Sequence, residues 1–356
     1  MKNKIKVGIW GLGRAGYGMH IGEMKRYPDE YEIVAGCDID SSRCGLFASK
    51  VPGSRTYTDG EKFLQDRDME MVVIAVRSPD HVDYAIRALN AGFLVFLEKP
   101  VALTVAGGER LRETARKFPG RLFLRHNRRY EAAFAHIREI MASGILGNIY
   151  EIKLCRHDFQ VRDDWQAIVD CGGGQLNNWG PHIIDHALNF LDSPVESVWS
   201  DLKRVFARGD AEDHLKIVLR GENRRVVDLE ISGGVSIPSP VYAVYGDRGS
   251  LVCANEQDIQ LKYLHPEYAA PTHAADPGTP PLDGGFQGKI PLRWIRKTIM
   301  VEPESGHNFY SIYHELYRTI REKAEFPITL DQALEVVRIT NEVKRQNPDF
   351  PLCADN

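Results

Sequence analysis

The strongest chemical signal in the sequence is a glycine-rich turn that directly follows a short apolar run. The pattern is G-x-G-x-x-G and consists of Gly11, Leu12, Gly13, Arg14, Ala15 and Gly16. Gly11 permits a tight turn, Gly13 lets the backbone approach a pyrophosphate, and Gly16 lets the next helix pack on the sheet. N–H groups at the start of that helix attract an anion. The turn predicts a dinucleotide site, and the alternative is a glycine turn without a ligand.

Asp38 ends the second predicted strand, at the distance beyond the glycines where an acidic residue can bind ribose. Its carboxylate can accept hydrogen bonds from both ribose hydroxyls and would repel a 2′-phosphate, which favours NAD over NADP. Arg43 keeps NADP open, because a guanidinium can reach a phosphate or stack on adenine. Asp38 also fits a helix N-cap, although Asp40 and Ser41 suit that position better.

A second group of candidate cofactor contacts is Ser78, Pro79 and His81, which follow the predicted strand Met71–Val76 at its carboxyl end. Ligands bind at that edge of an open α/β sheet, so these residues are expected to contact the nicotinamide ribose. Ser78 and Asp80 can equally begin the next helix, and both interpretations can hold together.

Lys99 is the candidate for chemistry on a substrate. Glu98, Lys99 and Pro100 follow directly at the end of the predicted strand Phe93–Leu97. A lysine at a strand end that faces a cofactor can hydrogen-bond a substrate hydroxyl and stabilise the alkoxide that forms as hydride leaves. Pro100 stiffens the turn. Elsewhere a Glu-Lys pair would be a surface feature, but its position after an apolar strand favours the cofactor site for Glu98 and Lys99.

These residues need elements that bring them together, and the first third of the chain alternates strand and helix patterns. Strands are predicted at Lys4–Trp10, Tyr31–Asp38, Met71–Val76, Phe93–Leu97 and Arg121–Arg125. Short, continuous apolar runs are typical of parallel strands covered on both faces by helices. We therefore predict the fold class α/β, with a Rossmann-type, doubly wound parallel sheet over residues 1–125.

Beyond about residue 126 the segments become longer, and polar residues alternate with apolar ones, as in antiparallel strands. We predict an α+β domain over residues 126–356, with a large, open, mostly antiparallel sheet. Its exposed face would need covering, so a homodimer or homotetramer through this sheet is expected. Helices are predicted at Pro181–Phe190, Asn308–Lys323 and Leu330–Gln346, and a long surface loop at His265–Gly288.

Composition restricts the partners. A formal net charge of -4, with both signs mixed along 356 residues, argues against a nucleic-acid partner. No apolar run reaches membrane-spanning length, and the basic N-terminus leads into a strand instead of an export signal. Six cysteines without a C-x-x-C pair predict no metal site or redox motif and fit the reducing cytoplasm.

The sequence resembles the Gfo/Idh/MocA oxidoreductase family, which includes glucose-fructose oxidoreductase and inositol dehydrogenase. The resemblance covers nearly the whole chain and rests on four segments: GLGRAG at Gly11, AGFLVFLEKP ending at Pro100, HNRRY at His126–Tyr130, and GGGQLNNWGPHIID at Gly172–Asp185. It implies a Rossmann domain, a second domain with a large open sheet through which subunits associate, and NAD or NADP used on sugars or cyclic polyols.

The resemblance also implies roles for single residues. Lys99 matches the lysine that orients substrate and contacts cofactor, and His182 matches the histidine that acts as general base. Asn178 departs from the pattern, because inositol-dehydrogenase-like members carry an aspartate one helical turn before that histidine. An amide can hydrogen-bond substrate or imidazole but cannot stabilise imidazolium as a carboxylate does. Asp185 is on the same helix face as His182 and can be either catalytic or structural.

Further pocket candidates combine hydrogen-bonding groups with an aromatic platform, as sugar sites typically do. They are Arg128, His157, Arg162, Asp163, Trp165 and Trp179. Arg128, His157 and Trp165 are the predicted substrate contacts, together with Lys99, Asn178 and His182. Each has an alternative as a surface or packing residue.

Three functions remain open on the sequence alone. The leading one is reversible hydride transfer between a sugar, sugar acid or polyol and NAD. The second is NAD-dependent glycoside cleavage through transient oxidation, elimination and re-reduction, because some relatives with the same motifs do this. The third is a non-catalytic dinucleotide sensor of the same fold, against which the presence of both Lys99 and His182 speaks.

Overall fold

The first sheet is parallel throughout and is built from short, apolar strands, as is typical of a parallel sheet covered on both faces. The computed structural model describes residues 3–269, 292–302 and 308–355. Six strands lie in the order β3-β2-β1-β4-β5-β6, and the predicted Rossmann fold is confirmed. Their bounds are Ile5–Trp10 (β1), Tyr31–Cys37 (β2), Arg55–Tyr57 (β3), Met71–Ile74 (β4), Leu94–Leu97 (β5) and Leu122–Leu124 (β6).

Helices connect these strands and cover the sheet. After β1 the chain forms a π-helix over Arg14–His20. The α-helices are Ile21–Met24 (α1), Ser41–Lys50 (α2), Gly60–Leu64 (α3), His81–Asn90 (α4) and Val105–Lys117 (α5). The sequence pattern did not reveal β3 or α3, because elements of three and five residues are too short to show a period.

The second sheet has eight strands in the order β14-β13-β12-β11-β7-β10-β9-β8, and only the β7–β10 pair is parallel. The prediction of a large, mostly antiparallel sheet is confirmed. The strands are Ile149–His157 (β7), Val195–Lys203 (β8), His214–Gly221 (β9), Val226–Ser232 (β10), Tyr242–Gly246 (β11), Gly249–Cys253 (β12), Asp258–Leu264 (β13) and Trp294–Met300 (β14).

Three of these strands, β12 to β14, were not predicted. β12 follows β11 after a tight turn, and β14 is an edge strand whose side chains are mostly exposed, so neither shows strong alternation. β13 does alternate, with Ile259, Leu261 and Tyr263 buried. The loop predicted at His265–Gly288 lies outside the described residues from position 270 onward.

The helices of the second half are α6 to α10, and they lie at Ala132–Ala142 (α6), Gln175–Asn178 (α7), Gly180–Leu191 (α8), Ser311–Glu322 (α9) and Leu330–Gln346 (α10). Within the described ranges, none of the helices is both long and apolar enough to cross a membrane.

The two hydrophobic cores do not divide the chain at a single point. The core of the first sheet includes Ile312, Tyr313 and Leu316 from α9, although the predicted division at residues 125 and 126 assigned this helix to the second domain. The core of the second sheet includes Ile339 and Val343 from α10. An amphipathic pattern identifies the buried face of a helix but not the sheet on which it packs.

A buried ion pair joins the segment just before β9 to α10. Lys344 of α10 donates to Glu212 Oε2 at 3.0 Å, and both side chains are almost fully buried. Glu212 Oε1 also accepts the Leu176 N–H at the start of α7. Among the described residues, the charge of Lys344 is paired only with that of Glu212. Loss of either side chain therefore leaves the other charge buried and unpaired.

We therefore predict that Lys344→Met lowers the free energy of unfolding by about 3–5 kcal/mol. The neighbouring Arg345 pairs with Glu342 but is exposed, so Arg345→Met should leave the free energy of unfolding nearly unchanged. Urea denaturation followed by circular dichroism measures both. Equal losses for the two variants would contradict the role assigned to the buried pair.

Candidate functional site

A cleft of about 1650 Å³ lies between the two sheets and contains most of the residues singled out from the sequence. Single small-molecule pockets usually measure roughly 300–1,000 Å³, so this cleft has room for an extended ligand and a second, smaller one. Its wall runs from the glycine turn and Asp38 to Lys99, Asn178 and His182.

The glycine turn has the geometry that a diphosphate requires. Gly11 has φ +95°, and a Cβ there would lie 2.5 Å from the Ala75 carbonyl group. A Cβ at Gly16 would collide with the Gly11 carbonyl oxygen. Gly13 faces the cleft, and a Cβ there would meet only the Arg43 guanidinium, at 3.4 Å. Two glycines are thus needed for packing, and the third leaves the backbone open to a ligand.

Asp38 connects the glycine turn to the end of β2. Its Oδ2 accepts the Leu12 N–H at 2.7 Å, and its Oδ1 accepts the Asp40 N–H at 3.0 Å. Arg43 Nη1 lies 3.7 Å from the same carboxylate. Asp40 is the N-cap of α2 and accepts the Ser42 N–H, so Asp38 is not the cap. The Asp38 carboxylate lines the cleft and keeps lone pairs for a ligand.

The segment after β4 is held by a buried histidine. His81 Nδ1 lies 2.7 Å from the Pro100 carbonyl oxygen, and Nε2 lies 3.1 Å from that of Val76. Burial lowers the pKa of His81. The imidazole therefore fixes the Lys99–Pro100 turn, although it also borders the cleft with Ser78. Pro79 does not line the cleft and lies beside Gly172.

Lys99 reaches across the cleft to the second domain. Its Nζ donates to the backbone carbonyl oxygen of Asn178 at 2.7 Å. Burial lowers the pKa of Lys99 to about 8; the positive charges of Arg125 and Arg128 act in the same direction, and Glu98 acts against them. The ammonium group is therefore close to its titration range at neutral pH.

Behind Lys99 lies a buried charge network. Glu98 Oε1 accepts from Arg125 at 2.8 Å and lies 3.1 Å from His20 Nε2, while Glu98 Oε2 accepts the Lys99 N–H. Arg125 also binds Glu23, and His20 bonds to the hydroxyl of Tyr313 on α9. Burial would raise the pKa of Glu98, but Arg125 and His20 hold it below the ordinary value. Glu98 borders the cleft, with its carboxylate already engaged.

His182 lies on the first turn of α8 and borders the cleft beside Asn178. Its Nδ1 is buried and has no hydrogen-bond partner within the described residues. Burial, reinforced by the charges of Lys99 and Arg128, lowers the pKa of His182 well below 6.5, so the imidazole is neutral at neutral pH. The side-chain amide of Asn178 likewise forms no hydrogen bond to the described part of the chain.

Asp185 has a structural role. Its two carboxylate oxygens accept from Arg129 Nε and Nη2 at 2.7 and 2.5 Å. Burial opposes the charge, but His126 and Arg129 hold the pKa of Asp185 below its ordinary value. A carboxylate bound in this bidentate way fixes α8 against the residues after β6 and is not free to serve His182.

The predicted substrate contacts have different surroundings. Arg128 borders the cleft, lies 4.1 Å from the Trp179 ring centroid and bonds to Glu131. Trp165 and Asp163 also border the cleft. Arg162 does too, with its guanidinium bound to Asp164. Both ring nitrogens of His157 face protein groups, because Nδ1 accepts the Ser239 N–H and Nε2 lies 3.1 Å from Glu230.

Three cleft residues were not singled out from the sequence. Arg156 binds Glu131 and Glu256 and lies over Trp179 beside Arg128. Asn127 and Gln175 each have a buried side-chain carbonyl oxygen that finds no hydrogen-bond partner among the described residues. The alternation along β7 could have identified Arg156, because it lies two residues after Leu154 and four after Ile152, on the same inward face of the strand. Asn127 and Gln175 lie inside segments quoted for the family resemblance, but their type alone does not distinguish them.

The fold and the cleft define an NAD(P)-binding oxidoreductase type of protein, and the comparisons with known proteins agree. Residues 5–126 match the family model described as oxidoreductase family, NAD-binding Rossmann fold. Residues 134–252 match the GFO/IDH/MocA C-terminal domain. Together the two matches span more than half of the chain. The chain belongs to the Gfo/Idh/MocA oxidoreductase family.

The similar proteins include enzymes with assigned substrates. A scyllo-inositol 2-dehydrogenase (NADP(+)) of Bacillus subtilis is 26% identical, over 94% of this chain and 91% of its own length. An inositol 2-dehydrogenase of Acidothermus cellulolyticus is 28% identical, over 72% of this chain and 74% of its own length.

A solved structure extends the likeness to the whole fold. The WlbA dehydrogenase of Bordetella pertussis, determined in complex with NADH and UDP-GlcNAcA, has a TM-score of 0.75 at 21% identity and covers 99% of this chain and 100% of its own.

The buried histidines predict how stability depends on pH. Burial lowers the pKa of His81, His126 and His182, and that of His186 to about 3. As pH falls through the unfolded value near 6.5, the unfolded chain gains protons that the folded chain does not. The free energy of unfolding should therefore decrease between pH 7.5 and 5.5, by up to about 1.4 kcal/mol for each histidine.

Chemical denaturation at the two pH values measures this decrease. In His81→Gln the decrease should be smaller than in wild type, because the variant lacks one of these buried imidazoles. A wild-type protein that is equally stable at both pH values would contradict the analysis.

Proposed function

We propose that this protein is an NAD-dependent oxidoreductase that transfers hydride between nicotinamide and a hydroxyl-bearing carbon of a sugar, sugar acid or polyol. One observation carries the proposal: Lys99 and His182 border the same cleft as the glycine turn, and Lys99 Nζ is bonded to the chain one helical turn before His182. The inositol dehydrogenases among the similar proteins support a polyol substrate.

The cleft residues fit a dinucleotide. Gly13 leaves the backbone open for a diphosphate, and Asp38 offers carboxylate lone pairs for ribose hydroxyls. When bound, the dinucleotide supplies the nicotinamide that exchanges hydride with the substrate carbon. NAD is favoured over NADP because the Asp38 carboxylate would repel a 2′-phosphate. Arg43, 3.7 Å away, offsets part of that repulsion, and the Bacillus subtilis relative is named for NADP(+).

Two side chains of the protein bind the hydroxyl proton and stabilise the negative charge that develops on the substrate oxygen. Protonated Lys99 donates a hydrogen bond to the substrate hydroxyl and stabilises the oxygen as it becomes an alkoxide. Neutral His182 accepts the hydroxyl proton as general base. The substrate thus loses a hydride and a proton and becomes a carbonyl compound, and the reverse reaction returns the proton from His182 to the oxygen.

Asn178 determines how basic His182 is. The chain has an amide where inositol-dehydrogenase-like members have an aspartate, so no carboxylate stabilises the imidazolium form there. The surrounding charges of Lys99 and Arg128 lower the pKa of His182 further. His182 is therefore a weak base in this site, and the ammonium of Lys99 carries more of the stabilisation of the alkoxide.

The remaining features fit the proposal. A homodimer or homotetramer through the exposed face of the second sheet would cover the side of that sheet opposite α8. A reducing cytoplasm suits six cysteines that are all free. Glycoside cleavage with transient oxidation would use the same residues, and the sensor hypothesis would leave Lys99 and His182 without a role.

In a screen of sugars and polyols, wild-type protein with NAD should produce NADH in proportion to the substrate consumed. Lys99→Ala and His182→Ala should each lower kcat by a factor on the order of 10²–10⁴, with NADH binding largely retained.

The wild-type rate should also fall as pH rises above 8, because Lys99, with a pKa of about 8, loses its proton. NADH absorbance measures the rates, and parallel assays with NADP test the preference.

Lys117→Ala is the matched control, since Lys117 is an exposed lysine at the end of α5 and its loss should not change kcat. Wild-type activity in both site variants would contradict the proposed roles. Cleavage of aryl glycosides without net NADH would favour the glycoside-cleaving alternative, and stable NADH binding without turnover of any compound would favour the sensor.

A further inference from the structure

Asn127 is a buried cleft residue whose side chain binds no described part of the chain. The residue is 5% exposed and lies on the cleft wall just beyond β6. Its Oδ1 has no hydrogen-bond partner within the described residues, and no described group bonds to its Nδ2. Buried amides are nearly always hydrogen-bonded, so this carboxamide needs a partner that the described residues do not supply.

Asn177 shows the usual arrangement for comparison. It is buried to a similar degree and also borders the cleft. Its Nδ2 donates to the carbonyl oxygens of Gly172 and Gly173 at 3.2 and 3.3 Å. Asn177 therefore stabilises the glycine segment before α7, whereas Asn127 stabilises no part of the described chain.

The place of Asn127 in the sheet indicates which ligand it meets. The diphosphate site lies at the end of β1, and β6 is three strands farther along the order β1-β4-β5-β6, roughly 14 Å away. Lys99 lies between them, at the end of β5. Asn127 is thus on the far side of Lys99 from the glycine turn. The next residue, Arg128, lies over Trp179 near His182. This is the side of the cleft left for a substrate.

The unpartnered atoms also indicate the chemistry of that substrate. Asn127 Oδ1, Gln175 Oε1 and His182 Nδ1 are buried, have no partner among the described residues, and belong to residues that border the same cleft. The two amide oxygens can only accept hydrogen bonds. Each amide also carries an NH2 group that can only donate. A carboxylate or phosphate could satisfy these donors but not the buried oxygens, whereas a hydroxyl group both donates and accepts and can therefore satisfy the oxygens.

We propose that Asn127 is a specificity-determining residue, which hydrogen-bonds a hydroxyl of a polyhydroxylated substrate other than the hydroxyl that is oxidised. The inference rests on the proposed function for the position of the reacting carbon. It assigns Asn127 to the substrate and not to the dinucleotide, and it gives Asn127 no part in the stability of the fold.

The test compares Asn127→Ala with wild type in three measurements. Binding of myo-inositol, scyllo-inositol and D-glucose to the NADH-loaded protein is followed by NADH fluorescence. For the compound that binds wild type most tightly, Kd should rise about 10-fold in the variant, a typical effect of losing one well-placed hydrogen bond. The Kd for NADH should change less than about twofold, and Tm should not fall. Asn177→Ala, the matched control, should lower Tm.

Several results would overturn the proposal. They are an unchanged polyol Kd in Asn127→Ala, a raised Kd for NADH alone, a fall in Tm equal to that of Asn177→Ala, and no binding of any of the three compounds by wild type. Turnover separates this proposal from the proposed function. If wild type binds a polyol through Asn127 but neither oxidises nor reduces any compound, the proposed function fails and the assignment of Asn127 stands.

Discussion

The hydrogen bond from Lys99 Nζ to the backbone carbonyl oxygen of Asn178 joins the two halves of the site. One partner ends a strand of the parallel sheet, and the other lies just before the helix that carries His182. Because the acceptor is a backbone atom, the contact depends on the path of the chain through α7 and not on the type of residue 178. An asparagine at position 178, where inositol-dehydrogenase-like members carry an aspartate, is therefore compatible with this contact.

The position of Lys99 depends in turn on charges buried beneath it. Glu98 is held by Arg125 and His20, and Arg125 is held by Glu23. Each charge has an opposite partner, which limits the cost of burial. Tyr313 joins α9, far along the chain, to this network through His20. Burial lowers the pKa of Lys99 to about 8, and Arg125, which compensates Glu98, acts in the same direction. One guanidinium therefore supports the fold and also favours loss of the Lys99 proton.

The sequence predicted much of this arrangement because the relevant signals are local. The glycine turn with Gly11 and Gly16, and each apolar strand, can be recognised from a few consecutive residues. These local patterns were enough to predict both the Rossmann sheet and the antiparallel sheet. The structure also brings Asp38, Lys99 and His182 to one cleft. Their proposed roles were inferred from position and family resemblance.

What the sequence could not show depends on contacts between distant segments. His81 and Asp185 have catalytic-looking side chains, but Pro100 and Arg129 engage them. Asn127 differs from these two residues, because its side-chain oxygen has no hydrogen-bond partner among the described residues, and this is the observation that suggests its role. Partners of this kind are known only once the fold is known, because spacing along the chain does not determine which side chains meet.

The account is tested most directly by an experimental structure of the protein with NADH bound. It predicts the diphosphate at the Gly11–Gly16 turn, ribose hydroxyls on Asp38, and the nicotinamide ring beside both Lys99 Nζ and the imidazole of His182. A nicotinamide ring out of reach of Lys99 and His182, with the diphosphate still on the glycine turn, would contradict it.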